Sequence, residues 1–337
     1  MALYVDITKK LGNFILNVKI ATGSKSTALF GMSGSGKSIT LKCIAGILKP
    51  DSGRIILNDR ILFDSDKKIN IPPQERNIGY LPQNFALFPD MNVSENIICG
   101  LQKHNRKERK SLCNDLLNRF DLYEIAHLYP HQISGGQQQR VALTRALATE
   151  PELLLFDEPF SSLDSLLKQQ LGLDLLIMLK EFDGEILFVS HDKDEVCKLC
   201  ESVCVIENGT NTNVKPLDAV LDCPETISEA LLAGIDNIGK ISDSNLSEFG
   251  FKVDTEKTPN AKYVAIKSDS IKTDGSDCSI VFETVIVDII RDSNKHYLIC
   301  KANDKSKHLL VFTNDLNHCI NEKITLSIDS KDIYYLK

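Results

Sequence analysis

The string Gly-Met-Ser-Gly-Ser-Gly-Lys-Ser at residues 31–38 is the feature that most constrains the fold. A short apolar run at 27–30 precedes it and predicts a buried strand, while apolar residues at helical spacing follow it over 38–48. The string matches the pattern G-x-x-x-x-G-K-[ST], whose small residues let backbone N–H groups surround a phosphate. A chance glycine turn is the alternative, but it does not explain all eight positions in this context. We therefore expect a phosphate-binding loop in an α/β sheet.

Each residue type in such a loop has a chemical role. The helix after the loop directs the positive end of its dipole toward the phosphates. Lys37 is expected to reach the β- and γ-phosphates, and the Ser38 hydroxyl to ligate Mg²⁺. The predicted cofactors are therefore ATP and Mg²⁺. The candidate binding residues are Gly31, Met32, Ser33, Gly34, Ser35, Gly36, Lys37, Ser38 and Ile39.

Two adjacent carboxylates, Asp157 and Glu158, follow a second apolar run at 153–156. In an open α/β sheet, ligands bind at the carboxyl ends of the strands. We expect Asp157 to face the Mg²⁺ ion and Glu158 to polarise an attacking water. A turn at the end of a strand is the alternative for these two residues taken alone.

Length, charge and cysteine content limit the number of domains, the kinds of partner and the compartment that we expect. The 337 residues are enough for two domains. The 39 Lys and Arg against 46 Asp and Glu give a net charge of −7, so we expect no nucleic-acid partner held by bulk charge. No apolar run approaches the roughly 18 residues that a membrane span needs. The ten cysteines form no compact framework, which favours the reducing cytoplasm.

The hydrophobic patterns divide the chain into predicted domains at 1–235 and 236–337. Alternating runs in 3–20 predict two antiparallel strands joined at Gly12 and Asn13, and helical patterns dominate a subdomain at about 84–150. Strands alternating with helices predict a largely parallel sheet in the first domain. Short alternating runs between polar turns predict a small all-β barrel in the second.

The string Ser134-Gly135-Gly136-Gln137, between Ile133 and Gln138-Gln139-Arg140, resembles the signature sequence of ATP-binding-cassette (ABC) ATPases. The family more commonly has Leu where this chain has Ile133. A glycine C-cap explains the two glycines but not the whole string. Physically, the string is a second glycine-rich helix N-terminus suited to gripping a γ-phosphate. The resemblance implies that Ser134, Gly135, Gly136 and Gln137 bind the ATP held by a second copy of the chain.

Further family elements appear in the expected order over residues 1–235. Gln83 resembles the Q-loop glutamine, which senses Mg²⁺ and water and contacts the membrane partner. The run 161–164 resembles the D-loop, with Asp164 at its end, and His191 resembles the switch histidine near the γ-phosphate. The resemblance thus implies two groups of residues. The catalytic group is Glu158, His191, Gln83 and Lys37, and the metal group is Ser38, Gln83 and Asp157.

An aromatic residue before the phosphate loop usually stacks on adenine in this family. Tyr4 and Phe14 are available here, and Leu11 lies near the expected place. We select Phe14 as the adenine contact. A strand side chain that faces the core is the alternative.

The run Glu158 to Asp164, a single cassette and a β-rich tail resemble those of bacterial and archaeal importer ATPases, most closely the molybdate/tungstate group. That similarity rests on the runs 68–76, 79–89 and 200–209, and residues 265–271 begin a tail similar to an oligobinding (TOBE/MOP-like) barrel. The fold implied is an ABC-type P-loop ATPase with a regulatory or dimer-contact barrel.

The implied function is ATP-driven oxyanion uptake by a peripheral subunit on the cytoplasmic face of the membrane. The implied partners are a second copy of the chain, transmembrane permease subunits and, indirectly, an extracytoplasmic solute-binding protein. Importers of sulfate, iron, polyamine or sugar remain alternatives, as does a soluble cassette ATPase without a transport role.

Two further features have structural alternatives. Cys197, Cys200 and Cys204 suggest a metal site, but the set lacks a fourth ligand, and packing of small apolar side chains is favoured. The basic stretch 103–110 suggests contact with anionic lipid, and a solvated helix face is favoured.

Overall fold

The computed structural model describes residues 3–161, 165–179, 182–242, 246–254, 260–273, 278–291, 296–315 and 317–337. The chain forms two compact units, 1–217 and 218–337. In the described parts of the chain, no helix combines the length and apolarity needed to cross a bilayer.

The first unit contains strands β1 to β12 and helices α1 to α6. The strands are β1 (Leu3–Leu11), β2 (Phe14–Ala21), β3 (Ser26–Phe30), β4 (Ser52–Leu57), β5 (Arg60–Asp64), β6 (Ile69–Asn70), β7 (Ile78–Leu81), β8 (Leu153–Asp157), β9 (Glu185–Ser190), β10 (Ser202–Glu207), β11 (Thr210–Asn211) and β12 (Lys215–Pro216). The helices are α1 (Lys37–Ala45), α2 (Val93–Ile98), α3 (Arg106–Arg119), α4 (Gly135–Leu147), α5 (Ser165–Leu179) and α6 (Lys193–Leu199).

The centre of this unit is a parallel sheet in the order β10-β3-β9-β8-β7, with β11 and β12 antiparallel to β10. Strands β3 and β8 are buried along their whole length, as expected for strands covered on both faces. This confirms the predicted parallel α/β sheet. Strand β7, which the sequence patterns did not predict, forms one edge.

A second, antiparallel sheet in the order β2-β1-β4-β5-β6 packs on the first. Strand β1 alternates buried and half-buried residues, so one face points to the core, and the β1–β2 pairing closes at Leu11 and Phe14 around the predicted turn. Side chains of α1 such as Leu41 and Ile44 join both sheets in one apolar cluster. Helix α1 is therefore fixed against the main core.

Helices α2, α3 and α4 form a separate apolar cluster that includes Val93, Leu117 and Val141. Each helix begins at a capping box, with Asn92, Asn105 or Ser134 as the N-cap. These caps satisfy backbone N–H groups that a helix start otherwise leaves unpaired. Local sequence therefore defines where these helices begin.

The second unit begins in α7 (Leu217–Asp222) and contains α8 (Ile227–Leu232) and strands β13 to β20. The strands are β13 (Asn237–Lys240), β14 (Tyr263–Ile266), β15 (Ile271–Lys272), β16 (Ile280–Arg291), β17 (His296–Lys301), β18 (Leu309–Thr313), β19 (Lys323–Ile328) and β20 (Ile333–Leu336). They form sheets in the orders β13-β14-β20 and β15-β19-β16-β17-β18, and the two edge strands of the larger sheet, β15 and β18, also contact each other. The unit is thus the nearly closed β structure that the sequence predicted.

Helix α1 ends three residues earlier than its apolar pattern predicts. Gly46 adopts a φ of 80°, which breaks the helix, and a Cβ there would lie 2.5 Å from Nε of Arg76. The Arg76 side chain is fully buried and donates hydrogen bonds to the carbonyls of Cys43 and Ile44 at 2.9 and 2.7 Å. Burial lowers the pKa of Arg76 to about 10. The guanidinium therefore satisfies the last carbonyls of α1, where a cation is also favoured by the helix dipole.

We expect Arg76→Ala to lower the unfolding free energy of the first unit by about 3 kcal/mol, because it removes the donors to the carbonyls of Ile44 and Ile71. Urea unfolding followed by circular dichroism measures the change. Arg60→Ala is the matched control, since the exposed Arg60 guanidinium also donates to a carbonyl, that of Glu75, at 2.8 Å. Equal losses in the two variants would contradict the capping role.

Candidate nucleotide-binding site

Four neighbouring strands of the parallel sheet deliver the predicted site residues to one edge. Gly31 follows β3, Asp157 ends β8, His191 follows β9, and Gln83 lies two residues beyond β7. Because parallel strands have their carboxyl ends on the same side, residues far apart in sequence meet there. The structure thus brings most of the predicted site together.

The loop between β3 and α1 requires glycine at two close approaches. A Cβ on Gly31 would lie 2.2 Å from the carbonyl oxygen of Ile206, and Gly31 has a φ of 154°. A Cβ on Gly36, where φ is 113°, would lie 2.5 Å from Cδ1 of Leu16. Both positions therefore exclude larger residues for steric reasons as well as conformational ones.

The loop presents polar groups without protein partners. Within the described residues, the amides of Gly34 and Gly36 have no protein acceptor, and the buried Ser35 Oγ has no hydrogen-bond partner. A buried hydroxyl without a partner is costly unless a ligand or water satisfies it. A phosphate group supplies acceptors for all of these donors, so the loop fits the predicted ligand.

The Lys37 side chain is almost fully buried at the base of this loop. Its Nζ donates to the carbonyls of Gly31 and Met32 at 2.8 and 2.9 Å and lies 3.8 Å from Oε1 of Glu158. Burial lowers the pKa of Lys37, while the charges of Glu158 and Asp157 oppose that shift. The amine is thus held between the loop and the carboxylates.

Ser38 and Asp157 are joined by a short hydrogen bond. Ser38 Oγ donates to Oδ1 of Asp157 at 2.6 Å, and the hydroxyl of Tyr80 donates to Oδ2 at 3.0 Å. A hydroxyl and a carboxylate are oxygen donors of the kind that Mg²⁺ prefers. The donor set therefore fits the predicted metal.

Glu158 combines a strained backbone with Lys37 and His191 as close neighbours. Its φ is 49°, in the left-handed region, and its N–H donates to the carbonyl of Val189 at 3.0 Å. Oε2 lies 3.2 Å from Nδ1 of His191, whose side chain is 54% exposed. A non-glycine residue held in this conformation is common where orientation matters more than stability.

Gln83 is linked to Glu158 through Ser161. Gln83 Nε2 donates to Ser161 Oγ at 2.9 Å, and Ser161 Oγ donates to the Glu158 carbonyl at 3.0 Å. The segment after Gln83 is fixed by α4, because Arg145 donates to the carbonyls of Phe85 and Ala86 at 3.0 and 2.8 Å. The Q-loop position is therefore connected both to the site and to α4.

The signature residues form the start of a different helix, α4. Ser134 caps α4, its Oγ accepting from the N–H of Gln137 at 3.3 Å, and Gly135 and Gly136 form the first residues of that helix. Among the residues that the structure describes, no hydrogen bond or ion pair joins 134–137 to the phosphate loop. The D-loop residue Asp164 lies outside the described residues.

The candidate adenine contacts occupy different ends of one hairpin. Phe14 packs partly on the core, and its ring lies 3.3 Å from where a Cβ of Gly36 would be. Leu11 pairs with Phe14, whereas Tyr4 pairs with Ala21 at the far end and donates to Oδ2 of Asp6 at 3.1 Å. Phe14 thus borders the phosphate loop while also packing on the core.

Several residues that support the site were not predicted from the sequence. Tyr80 and Ser161 contact Asp157 and Gln83, and Glu195 accepts from the hydroxyl of Ser190, beside His191, at 2.6 Å. Burial raises the pKa of Glu195. The contact of Tyr80 with Asp157 follows from the pairing of β7 with β8 and is readable only when that pairing is known.

The cysteine cluster divides between surface and core. Cys197 is exposed, whereas Cys200 and Cys204 are buried, and Cys204 belongs to the main apolar cluster. Burial raises the pKa of the Cys200 thiol. Cys200 and Cys204 are therefore packing residues.

This glycine loop, with its lysine, serine and paired carboxylates, defines a P-loop nucleotide-binding protein. A family model described as ABC transporter matches residues 15–161. The molybdate/tungstate import ATP-binding protein WtpC of Archaeoglobus fulgidus is 41% identical over 209 residues, which are 62% of this chain and 85% of the relative. The chain belongs to the ABC transporter family.

Two bacterial relatives are longer than the matched region. The molybdenum import ATP-binding protein ModC of Aliivibrio fischeri is 41% identical over 62% of this chain and 56% of its own length. The Fe(3+) ions import ATP-binding protein FbpC 2 of Haemophilus influenzae is 43% identical over 54% of this chain and 51% of its own length. The chain thus spans about half the length of these relatives.

A solved dimeric structure has the same cassette fold. It is a post-hydrolysis state of the ATP-binding cassette MJ0796 bound to ADP and Pi. The TM-score is 0.54 with 28% identity, over 64% of this chain and 98% of that chain. The comparisons confirm the resemblance to importer ATPases and the ABC fold class.

The left-handed backbone at Glu158 predicts that glycine is a more stabilising replacement there than alanine, the reverse of the usual order. We expect Glu158→Gly to be more stable than Glu158→Ala by about 1 kcal/mol, because both lose the carboxylate but only alanine keeps the strain. Urea midpoints measure the difference. At Glu201, whose φ is outside the left-handed region, alanine should be the more stable of the same two substitutions. If the alanine variant is the more stable of the two at both positions, strain at Glu158 is contradicted.

Proposed function

We propose that this chain binds and hydrolyses ATP with Mg²⁺ as the ATP-binding subunit of an ABC importer. The observation that supports this most directly is the meeting of Lys37, Ser38, Asp157, Glu158 and His191 at one sheet edge. Each group has the chemistry that phosphoryl transfer to water requires, and their distances allow them to act on one bound nucleotide. The family membership supports the same activity.

In this proposal, the loop binds the phosphates through unpaired donors. The amides of Gly34 and Gly36 and the Ser35 hydroxyl donate to phosphate oxygens, which removes the cost of leaving the buried Ser35 hydroxyl without a partner. Lys37 neutralises charge near the β- and γ-phosphates. The dipole of α1 adds to the attraction.

The metal would be held by Ser38 and Asp157, with Gln83 as the third predicted contact. When bound, Mg²⁺ neutralises charge on the phosphate oxygens and so stabilises the departing γ-phosphoryl group. Glu158 orients the attacking water and accepts its proton, as the bond from the γ-phosphorus to the ADP oxygen breaks. His191, 3.2 Å from Glu158, holds that carboxylate near the γ-phosphate.

The position of the signature residues supports a head-to-tail dimer. Ser134, Gly135, Gly136 and Gln137 form a helix N-terminus with its own cap, and no bond ties them to the described phosphate loop of the same chain. In the proposed dimer, this N-terminus and Asp164 meet the nucleotide of the second copy. The dimeric arrangement of the MJ0796 cassette supports this assembly.

We further propose that the imported solute is an oxyanion, molybdate or tungstate. The import proteins WtpC and ModC, both about 40% identical to this chain, support this substrate. The segment 84–95 would contact transmembrane permease subunits, which receive solute from an extracytoplasmic binding protein. The chain would then sit peripherally on the cytoplasmic face of the membrane. Iron is the second candidate, because the iron import protein FbpC 2 is 43% identical.

We expect Glu158→Gln to bind ATP normally, to lose hydrolysis by at least about 100-fold and to accumulate as an ATP-bound dimer, since only the proton acceptor is removed. Phosphate release, nucleotide binding and light scattering measure these three properties. Glu201→Gln, before β10 at the opposite edge of the same sheet, should hydrolyse ATP at the wild-type rate. Turnover of Glu158→Gln close to wild type would remove Glu158 from the role of base.

We expect deletion of the gene to lower cell-associated molybdenum and tungsten at limiting oxyanion, because uptake depends on ATP hydrolysis by this subunit. Mass spectrometry of metals in cells measures the loss, with iron quantified in the same samples. Wild-type complementation should restore both metals, whereas Lys37→Ala should not. Loss of iron with unchanged molybdenum and tungsten would replace the oxyanion assignment with the iron one.

A further inference from the structure

The hydroxyl of Tyr80 lies against the carboxylate that faces the proposed Mg²⁺ site. It donates to Oδ2 of Asp157 at 3.0 Å, while Ser38 donates to Oδ1 at 2.6 Å. The two oxygens of Asp157 therefore have different partners on different sides. A carboxylate held at both oxygens has a fixed orientation.

Strand pairing explains why these two side chains meet. Tyr80 on β7 is paired in register with Leu155 on the parallel strand β8. Residues two apart in a strand point to the same face, so Asp157 shares the face of Leu155 and Tyr80. This face carries the α1 helix, on which Ser38 lies. The contact thus follows from the register of the sheet.

The Tyr80 side chain is held in place beside Asp157 by its hydrogen bond to Oδ2. The ring also packs partly on the main apolar cluster, which restricts its motion.

We propose that Tyr80 is a positioning residue for the Mg²⁺ site, fixing the orientation of the Asp157 carboxylate beside Ser38. This inference rests on the proposed function, because it assigns a partner to the carboxylate that would hold the metal. Groups that hydrogen-bond to a metal ligand orient it, and their loss commonly weakens metal binding. Tyr80 acts through Asp157 and needs no contact with the metal or the nucleotide.

The test compares wild type with Tyr80→Phe in the full-length chain. Calorimetry measures ADP affinity in excess Mg²⁺ and in EDTA, and the ratio of the two affinities isolates the contribution of the metal. We expect Tyr80→Phe to reduce this ratio by about 10-fold and to leave ADP affinity in EDTA unchanged. The Mg²⁺ concentration that half-saturates ATP hydrolysis should rise in parallel.

Tyr4→Phe is the matched control. Tyr4 also donates to an aspartate oxygen, Oδ2 of Asp6 at 3.1 Å, but it lies at the far end of the β1–β2 hairpin from Phe14. Its substitution removes the same kind of hydrogen bond and should leave the Mg²⁺ ratio unchanged. An equal fall in both variants would overturn the proposal, as would an unchanged ratio in Tyr80→Phe.

Two other results separate positioning from packing. If Tyr80→Phe lowers ADP affinity in EDTA as strongly as in Mg²⁺, Tyr80 supports the fold and the proposal fails. In an Asp157→Asn background, Tyr80→Phe should have no further effect on the ratio, because it acts through that carboxylate. An additive loss there would also overturn it. If the ADP affinity of the wild-type protein is the same in Mg²⁺ and in EDTA, the proposed metal site itself is contradicted.

Discussion

The parallel pairing of β3, β9, β8 and β7 is the constraint on which the whole site depends. It brings residues from positions as distant as Gly31 and His191 to one edge, although no local interaction joins their sequences. A slip of one residue in β8 would turn Asp157 to the other face and separate it from Ser38. Burial of the apolar side chains on both faces opposes such a slip, so the core that stabilises the fold also sets the geometry of the chemistry.

Helix α1 connects the phosphate loop at its first residues to the buried Arg76 at its last residues. Its first residues, Lys37 and Ser38, face the phosphate loop, and its last carbonyls accept hydrogen bonds from buried Arg76. The loop end suits an anion and the other end is paired with a cation, as the helix dipole favours. The helix therefore stays in place through its apolar face and both of its polar ends.

Contiguous features were predictable from sequence, and features built by distant partners were not. The loop at 31–38 and the two carboxylates at the end of β8 lie within single local patterns, and the structure has them where expected. Tyr80 and Asp157 are 77 residues apart, and Arg76 and Cys43 are 33 apart, so no local pattern indicates either contact. The same holds in the second unit, where strands β13 and β20 are too short for a clear alternation and are defined by pairing with β14.

The Arg145 contacts have a consequence for communication within the chain. They tie the backbone after Gln83 to α4, whose opposite end carries Ser134. In the proposed dimer, Gln83 belongs to one nucleotide site and Ser134 to the other. A protein docked on the backbone at Phe85 and Ala86 would therefore respond to the occupancy of both nucleotide sites together.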